Sequence, residues 1–139
     1  MAKVERVGIS LDGRLLSMFD RLIAKQGYPN RSEAFRDLIR DRLGREELAN
    51  PAAKAVGAVF LVYDHHTANL TQKLLDLQHS HLLKVVASIH IHLDEHDCLE
   101  AVILKGKVGE IEKMAGRLTS LKGVKLGRVN MISAEGELA

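Results

Sequence analysis

Residues 1–48 hold one segment of strand periodicity and nothing for it to pair with. Val7, Ile9 and Leu11 alternate with Arg6, Gly8 and Ser10 over residues 5–11, whereas the apolar positions that follow recur at helical spacing. An isolated strand leaves both hydrogen-bonding edges unmet, and a unit this short buries too little to stand alone. The sequence therefore predicts a unit that folds against a second copy of itself. A helix is expected from about Gly13 to Gln26, with Leu15, Met18, Phe19, Leu22 and Ile23 on one stripe and Gly27-Tyr28-Pro29 as its stop. A second begins at Asn30, an N-cap with Glu33 three residues on, and Ala34, Phe35, Leu38, Ile39 and Leu43 continue the stripe.

Charge is uneven along the chain. Residues 1–50 carry ten Lys and Arg, eight of them Arg, against eight Asp and Glu, so they hold the whole formal net charge of +2. All seven histidines fall between His65 and His96. Guanidinium presents paired planar donors suited to phosphate and base edges. Two paired copies of the N-terminal strand would make an antiparallel ribbon that fits a major groove, with Arg6, Gly8 and Ser10 on its polar face. Asn30, Arg31 and Ser32 open the second helix, where free N–H groups and the helix dipole favour a phosphate. The expected partner is thus double-stranded DNA. Two Tyr, three Phe and no Trp leave few stacking platforms, which disfavours single-strand binding.

The apolar period lapses between Gly44 and Lys54, and Asn50-Pro51 turns the backbone away from helix, so the expected organisation is a unit over 1–48, a linker over 49–55 and a second unit over 56–139. That second unit reads as strand (57–63), helix (Leu70, Leu74, Leu77), strand (84–92), strand (98–104), helix (Val108, Ile111, Met114, Ala115, Leu118) and strand (124–131). This is the split βαββαβ order of a ferredoxin-like (ACT-like) domain, and the fold class is α+β. Unbroken alternation in β-residues 85–92 would turn Val85, Ala87, Ile89 and Ile91 toward the helices and leave Ser88, His90 and His92 on the open face, together with Cys98 and Glu100 of the next strand. Two imidazoles two residues apart on a strand, with the chain's one thiol beside them, are a metal-ligand set. A fourth ligand must come from elsewhere. His79 and His81, at the end of the first helix of this unit, are expected on the far side of the sheet from His90 and His92, so a neighbouring subunit supplies the easier geometry. His65, His66, His81 and His96 read as solvated residues or weak secondary ligands.

The N-terminal runs Arg6-Val7-Gly8-Ile9-Ser10-Leu11-Asp12 and Gly27-Tyr28-Pro29-Asn30-Arg31-Ser32-Glu33-Ala34-Phe35-Arg36-Asp37 resemble the ribbon-helix-helix repressors, from which Gly8 departs, since relatives place a polar side chain there. With Leu77-Gln78-His79, the run from Leu82 to His92, Asp94-Glu95-His96-Asp97-Cys98-Leu99-Glu100, Leu104-Lys105-Gly106 and Leu121-Lys122-Gly123-Val124, nearly the whole chain is similar to the nickel-responsive ribbon-helix-helix regulators. That resemblance implies a homotetramer, a dimer of dimers, with one Ni(II) per subunit in a square plane of His90, His92 and Cys98 from one subunit and His79 from another. It further implies a repressor of nickel-uptake genes, with Gln78 and Glu100 beside the ligands orienting imidazoles. Glu33 and Asp37 match a carboxylate pair that holds K+ in relatives; as plain chemistry they equally form an acidic step pairing with Arg36 or Arg40.

Three rivals are weaker. A metal-storage protein without a DNA target leaves Arg6, Ser10 and the Asn30 helix start unexplained. An enzyme using Cys98 with a histidine base lacks an open coordination position, an oxyanion-hole motif or a cofactor fingerprint. A small-molecule sensor is possible for the C-terminal fold, but histidine and cysteine placement favours a metal, nickel or another. The N-terminal residues show no apolar export segment and no apolar run reaches the length of a membrane span, so the expectation is a cytoplasmic protein with no membrane partner.

Overall fold

The computed structural model describes residues 3–79 and 84–135; His81 lies outside them. The chain forms two compact units, one up to Asp41 and one from Arg42 onward.

In the first unit, α1 (Gly13–Lys25) is capped by the Asp12 carboxylate, which accepts from the Leu15 N–H at 2.9 Å, and ends at Gln26 before Gly27 at φ +81°. The α2 helix starts at Arg31 and runs to Leu48, with Asn30 Oδ1 accepting from Glu33 N–H at 2.9 Å as its cap. Gly44 to Glu47, expected to begin the seam, are helical. Phe19 stacks on Phe35 with ring centroids 4.7 Å apart, and Ile23 and Ala34 are buried. Leu15, Met18, Leu22, Leu38 and Ile39 stay exposed, so the two stripes are not covered within this unit. The strand expected over 5–11 is not formed: residues 3–12 have no regular secondary structure and are exposed throughout. A strand exists only by pairing, and the described residues of this unit contain no second one.

The second unit is a four-stranded sheet. Its elements are β1 (Lys54–Asp64), α3 (Leu70–His79), β2 (Lys84–His92), β3 (Asp97–Lys107), α4 (Val108–Thr119) and β4 (Val124–Ser133). Lys54 and Ala55, expected in the linker, already pair with Lys107 and Gly106. The strand order is β2-β3-β1-β4 with every neighbouring pair antiparallel, which is the split βαββαβ topology. The core lies between the helices and one sheet face: Val59, Leu61 and Tyr63 of β1, Val102 and Leu104 of β3, Leu70 and Leu74 of α3, and Ile111, Met114 and Leu118 of α4.

One expectation about this sheet is inverted. Val85 pairs with Leu104 on the helix side, but the register then shifts, and Ala87 pairs with Ile103 on the other face. Val86 is the extra residue of a β-bulge, and since side chains alternate strictly, one inserted residue reverses every position after it. Ser88, His90 and His92 therefore face the helices together with their partners Val102, Glu100 and Cys98, while Ala87, Ile89 and Ile91 turn outward. The histidines do share a face with Cys98 and Glu100, but it is the helix side of the sheet, where His90 and His92 themselves stay exposed.

Candidate metal centre

The β2–β3 hairpin brings the donors together. Asp94 Oδ1 accepts from the backbone N–H groups of His96 and Asp97, each at 2.8 Å, which closes the turn and holds the Asp94 carboxyl below its usual range. In the resulting register His92 stands opposite Cys98, and His90 opposite Glu100. The Cys98 Sγ lies 3.4 Å from His92 Nδ1, and the His90 and His92 ring centroids are 5.2 Å apart. Cys98 is fully buried. Burial pushes its thiol pKa up, and the carboxylates of Asp97, Asp64, Asp94 and Glu100 push it further. The thiol therefore holds its proton until a cation replaces it.

Beside these donors sits a buried carboxylate with three donors of its own. Glu100 Oε1 accepts from Gln78 Nε2 at 2.7 Å and from Ser88 Oγ at 2.9 Å, while Oε2 accepts from the Tyr63 hydroxyl at 2.8 Å. Burial, then the hydrogen bond to Glu100, raises the Tyr63 pKa well above its ordinary value, so the hydroxyl stays a donor. Through Gln78 this cluster fixes the last turn of α3. Successive helical residues point about 100° apart, so an inward Gln78 turns His79 outward, and His79 is exposed. The α3 end thus lies on the same side of the sheet as His90 and His92, not on the far side, yet His79 is not among the clustered donors of its own chain.

Residue reasoning gave Tyr63 no role, left Ser88 as a face-mate of the histidines and took His65 for a solvated residue or weak secondary ligand. Tyr63 and Ser88 complete the Glu100 cluster, and His65 brings its Nδ1 to 3.2 Å from Cys98 Sγ. The signal for Tyr63 and His65 was the β1–β3 register, which sets Tyr63 against Cys98 and Asp64 against Asp97. Among the described residues, His65, His92 and Cys98 form one group able to hold an ion, and Asp64, His65 and His66 another. One thiol with imidazole nitrogens aimed at it is a donor set that suits nickel.

The residues expected at DNA belong to the first unit. Arg6, Gly8 and Ser10 are exposed on the segment before α1, and nothing approaches a side chain placed at Gly8. Arg31 is engaged by Asp20 through two bonds of 2.7 Å, while Asn30 caps α2 and Ser32 is exposed in its first turn. Glu33 and Asp37 line a small polar recess with Arg36 and Arg40. Asp37 there accepts from the Tyr28 hydroxyl at 2.8 Å and lies 3.7 Å from Arg40, so it takes part in an ion pair of the kind plain chemistry suggested.

Comparison with known proteins agrees with both units. Residues 56–132 match the family described as NikR C terminal nickel binding domain, and residues 5–46 match the ribbon-helix-helix protein, copG family. Relatives whose names describe a nickel-responsive regulator include those of Thermococcus onnurineus, 46% identical over 98% of this chain and 99% of the relative, and Thermococcus kodakarensis, 47% identical over the same shares. That of Lawsonia intracellularis is 45% identical over 99% of each. Among solved structures, the ACT domain from GTP pyrophosphokinase of Chlorobium tepidum overlaps at TM-score 0.48 and 6% identity, over 54% of this chain and 96% of that one. The split topology is established by the strand order itself. With both units matched in sequence and a thiol–imidazole cluster formed by the second, this chain belongs to the nickel-responsive regulators that join a ribbon-helix-helix unit to a nickel-binding domain.

Proposed function

We propose that the protein is a cytoplasmic, nickel-dependent repressor of nickel-uptake genes, with residues 1–48 binding operator DNA, 49–55 as linker and 56–139 holding the metal and assembling a tetramer. Nickel would take His90, His92 and Cys98 from one subunit and His79 from another. The observation that carries this reading is the buried Cys98 thiol beside His92 and His90, joined through the Glu100–Gln78 bond to the helix end that bears His79. Four donors in a plane suit Ni(II) and also Cu(II), which should bind more tightly by the usual order, so selectivity lies in the response. The chain's own part is to hold His79 outward until a neighbouring site engages it; metal then links two subunits and favours arrangements both DNA half-sites accept. Asn30 and Ser32 would anchor phosphate at the α2 start, and the ribbon residues Arg6 and Ser10 would read base edges. Should K+ bind, Glu33 and Asp37 are its candidates.

An absorption titration of the reduced, metal-free protein with Ni(II), beside Cys98→Ala, tests the site. A thiolate-to-nickel band saturating at one metal per chain and absent from the variant is expected. Saturation indifferent to Cys98 would overturn the reading. Arg6→Ala should then weaken nickel-dependent operator binding in a mobility-shift assay by about tenfold or more; unchanged binding would favour a metal-storage role.

A further inference from the structure

We propose that Asp20 is a positioning residue for DNA binding: its carboxylate grips one edge of the Arg31 guanidinium and leaves a second edge to take a DNA phosphate at the start of α2. The inference rests on the reading above in one respect, that the first unit binds double-stranded DNA.

Arg31 donates from Nε to Asp20 Oδ1 and from Nη2 to Asp20 Oδ2, each at 2.7 Å. A guanidinium carries five N–H donors in a planar, fixed fork, and this side-on pair uses two of them. The edge formed by Nη1 and the second Nη2 hydrogen remains, and it matches two phosphate oxygens as well as the first edge matches a carboxylate. The Arg31 side chain is 53% exposed despite the pair, so that edge is within reach of a ligand. The frame around the pair is braced. Phe19, beside Asp20, stacks on Phe35, one turn after Arg31, and Asn30 caps the same turn by accepting from the Glu33 N–H. The Arg31 hydrogen bonds hold the Asp20 carboxyl below its usual range, so the grip is ionic at neutral pH.

Ordering a long side chain is a cost of binding that a prior hold removes. Against this stands the Asp20 charge, which repels phosphate, but Arg31 itself neutralises it and the exposed surroundings screen the rest. The two effects have opposite signs. Were Asp20 a latch that only withheld Arg31, removing its carboxylate would release the guanidinium and tighten binding. Since it presents Arg31, removing the carboxylate weakens binding although the formal net charge rises above +2.

The test uses the nickel-loaded full chain and the duplex it selects from a random-sequence pool, with affinity read by fluorescence anisotropy over a range of salt. Asp20→Asn, which keeps the shape, should weaken binding by about tenfold or more, since every subunit at the DNA loses the same hold. The slope of log affinity against log salt should fall by about one or more. Arg31→Lys keeps the charge but has no second edge, and should lose nearly as much as Arg31→Ala. In the Arg31→Ala background Asp20→Asn should change affinity by less than about twofold. Unchanged or tighter binding by Asp20→Asn would overturn the inference and leave the DNA reading standing. A loss that persists undiminished without Arg31 would overturn it too, since that is the mark of a folding defect. Failure of the unaltered protein to select any duplex would sink the DNA reading itself, and this inference with it.

Discussion

Cys98 stands in the candidate metal centre as a thiol, because burial and four neighbouring carboxylates oppose its ionisation. Nickel bound through the Cys98 sulfur, as proposed, would expel a proton, and its affinity should rise about tenfold per pH unit between pH 7 and 8, below the raised thiol pKa. Proton release measured by dye or calorimetry should approach one per nickel, and the slope should flatten in Cys98→Ala. The same raised pKa means the folded metal-free chain gains stability from the protonated thiol at neutral pH and loses that gain as pH climbs through the folded value. Glu100 acts differently, as the acceptor for Gln78, Ser88 and Tyr63. Glu100→Ala orphans three donors around a buried position and should cost about 3 kcal/mol or more in urea unfolding of the metal-free protein. Glu100→Gln, which keeps the shape, should lose less.

At the scale of elements, periodicity revealed most of what folds locally. The helices around Leu15–Ile23 and Val108–Leu118 and the strand at 84–92 were legible because their apolar spacing is regular and their stops are Gly, Pro or a change of period. The bulge at Val86 was not, because Val85-Val86-Ala87 is apolar at every position and alternation carries no phase there. His65 was hidden for a related reason: its neighbours in space come from strand register, and sequence distance says nothing of that. The first strand could be read in the alternation but is not formed, since the unit holds no second strand for it to pair with among the described residues. Gly123 shows a turn residue doing what its type allows, at φ +104° just before β4. A methyl there would meet Thr67 at 2.8 Å and Leu70 at 3.0 Å in a backbone conformation L residues avoid. Gly123→Ala should therefore lower stability by about 1–3 kcal/mol in denaturant unfolding.

At the scale of the whole molecule, two faces are apolar and uncovered. In the first unit these are the exposed stripes of α1 and α2; in the second, the sheet side opposite the helices, where Phe60, Ile89, Ile91, Leu126 and Ile132 stand, the last two 69% and 74% exposed. Isolated apolar residues are ordinary, but a contiguous sheet face of them marks an interface. Leu126→Asp with Ile132→Asp should shift sedimentation of the proposed tetramer to a smaller species, while the intrasubunit donors remain in place. Among the described residues no helix is long and apolar enough to cross a membrane. The bulge at Val86 ties that outer sheet face to the donor cluster on the helix side. Were the bulge ironed out with every residue kept, Ile89 and Ile91 would turn inward and His90 and His92 outward in the same stroke, so the strand's composition would survive while the donor cluster and the apolar outer face vanished together. The bulge sets the phase of both, and neither can drift out of step without the other.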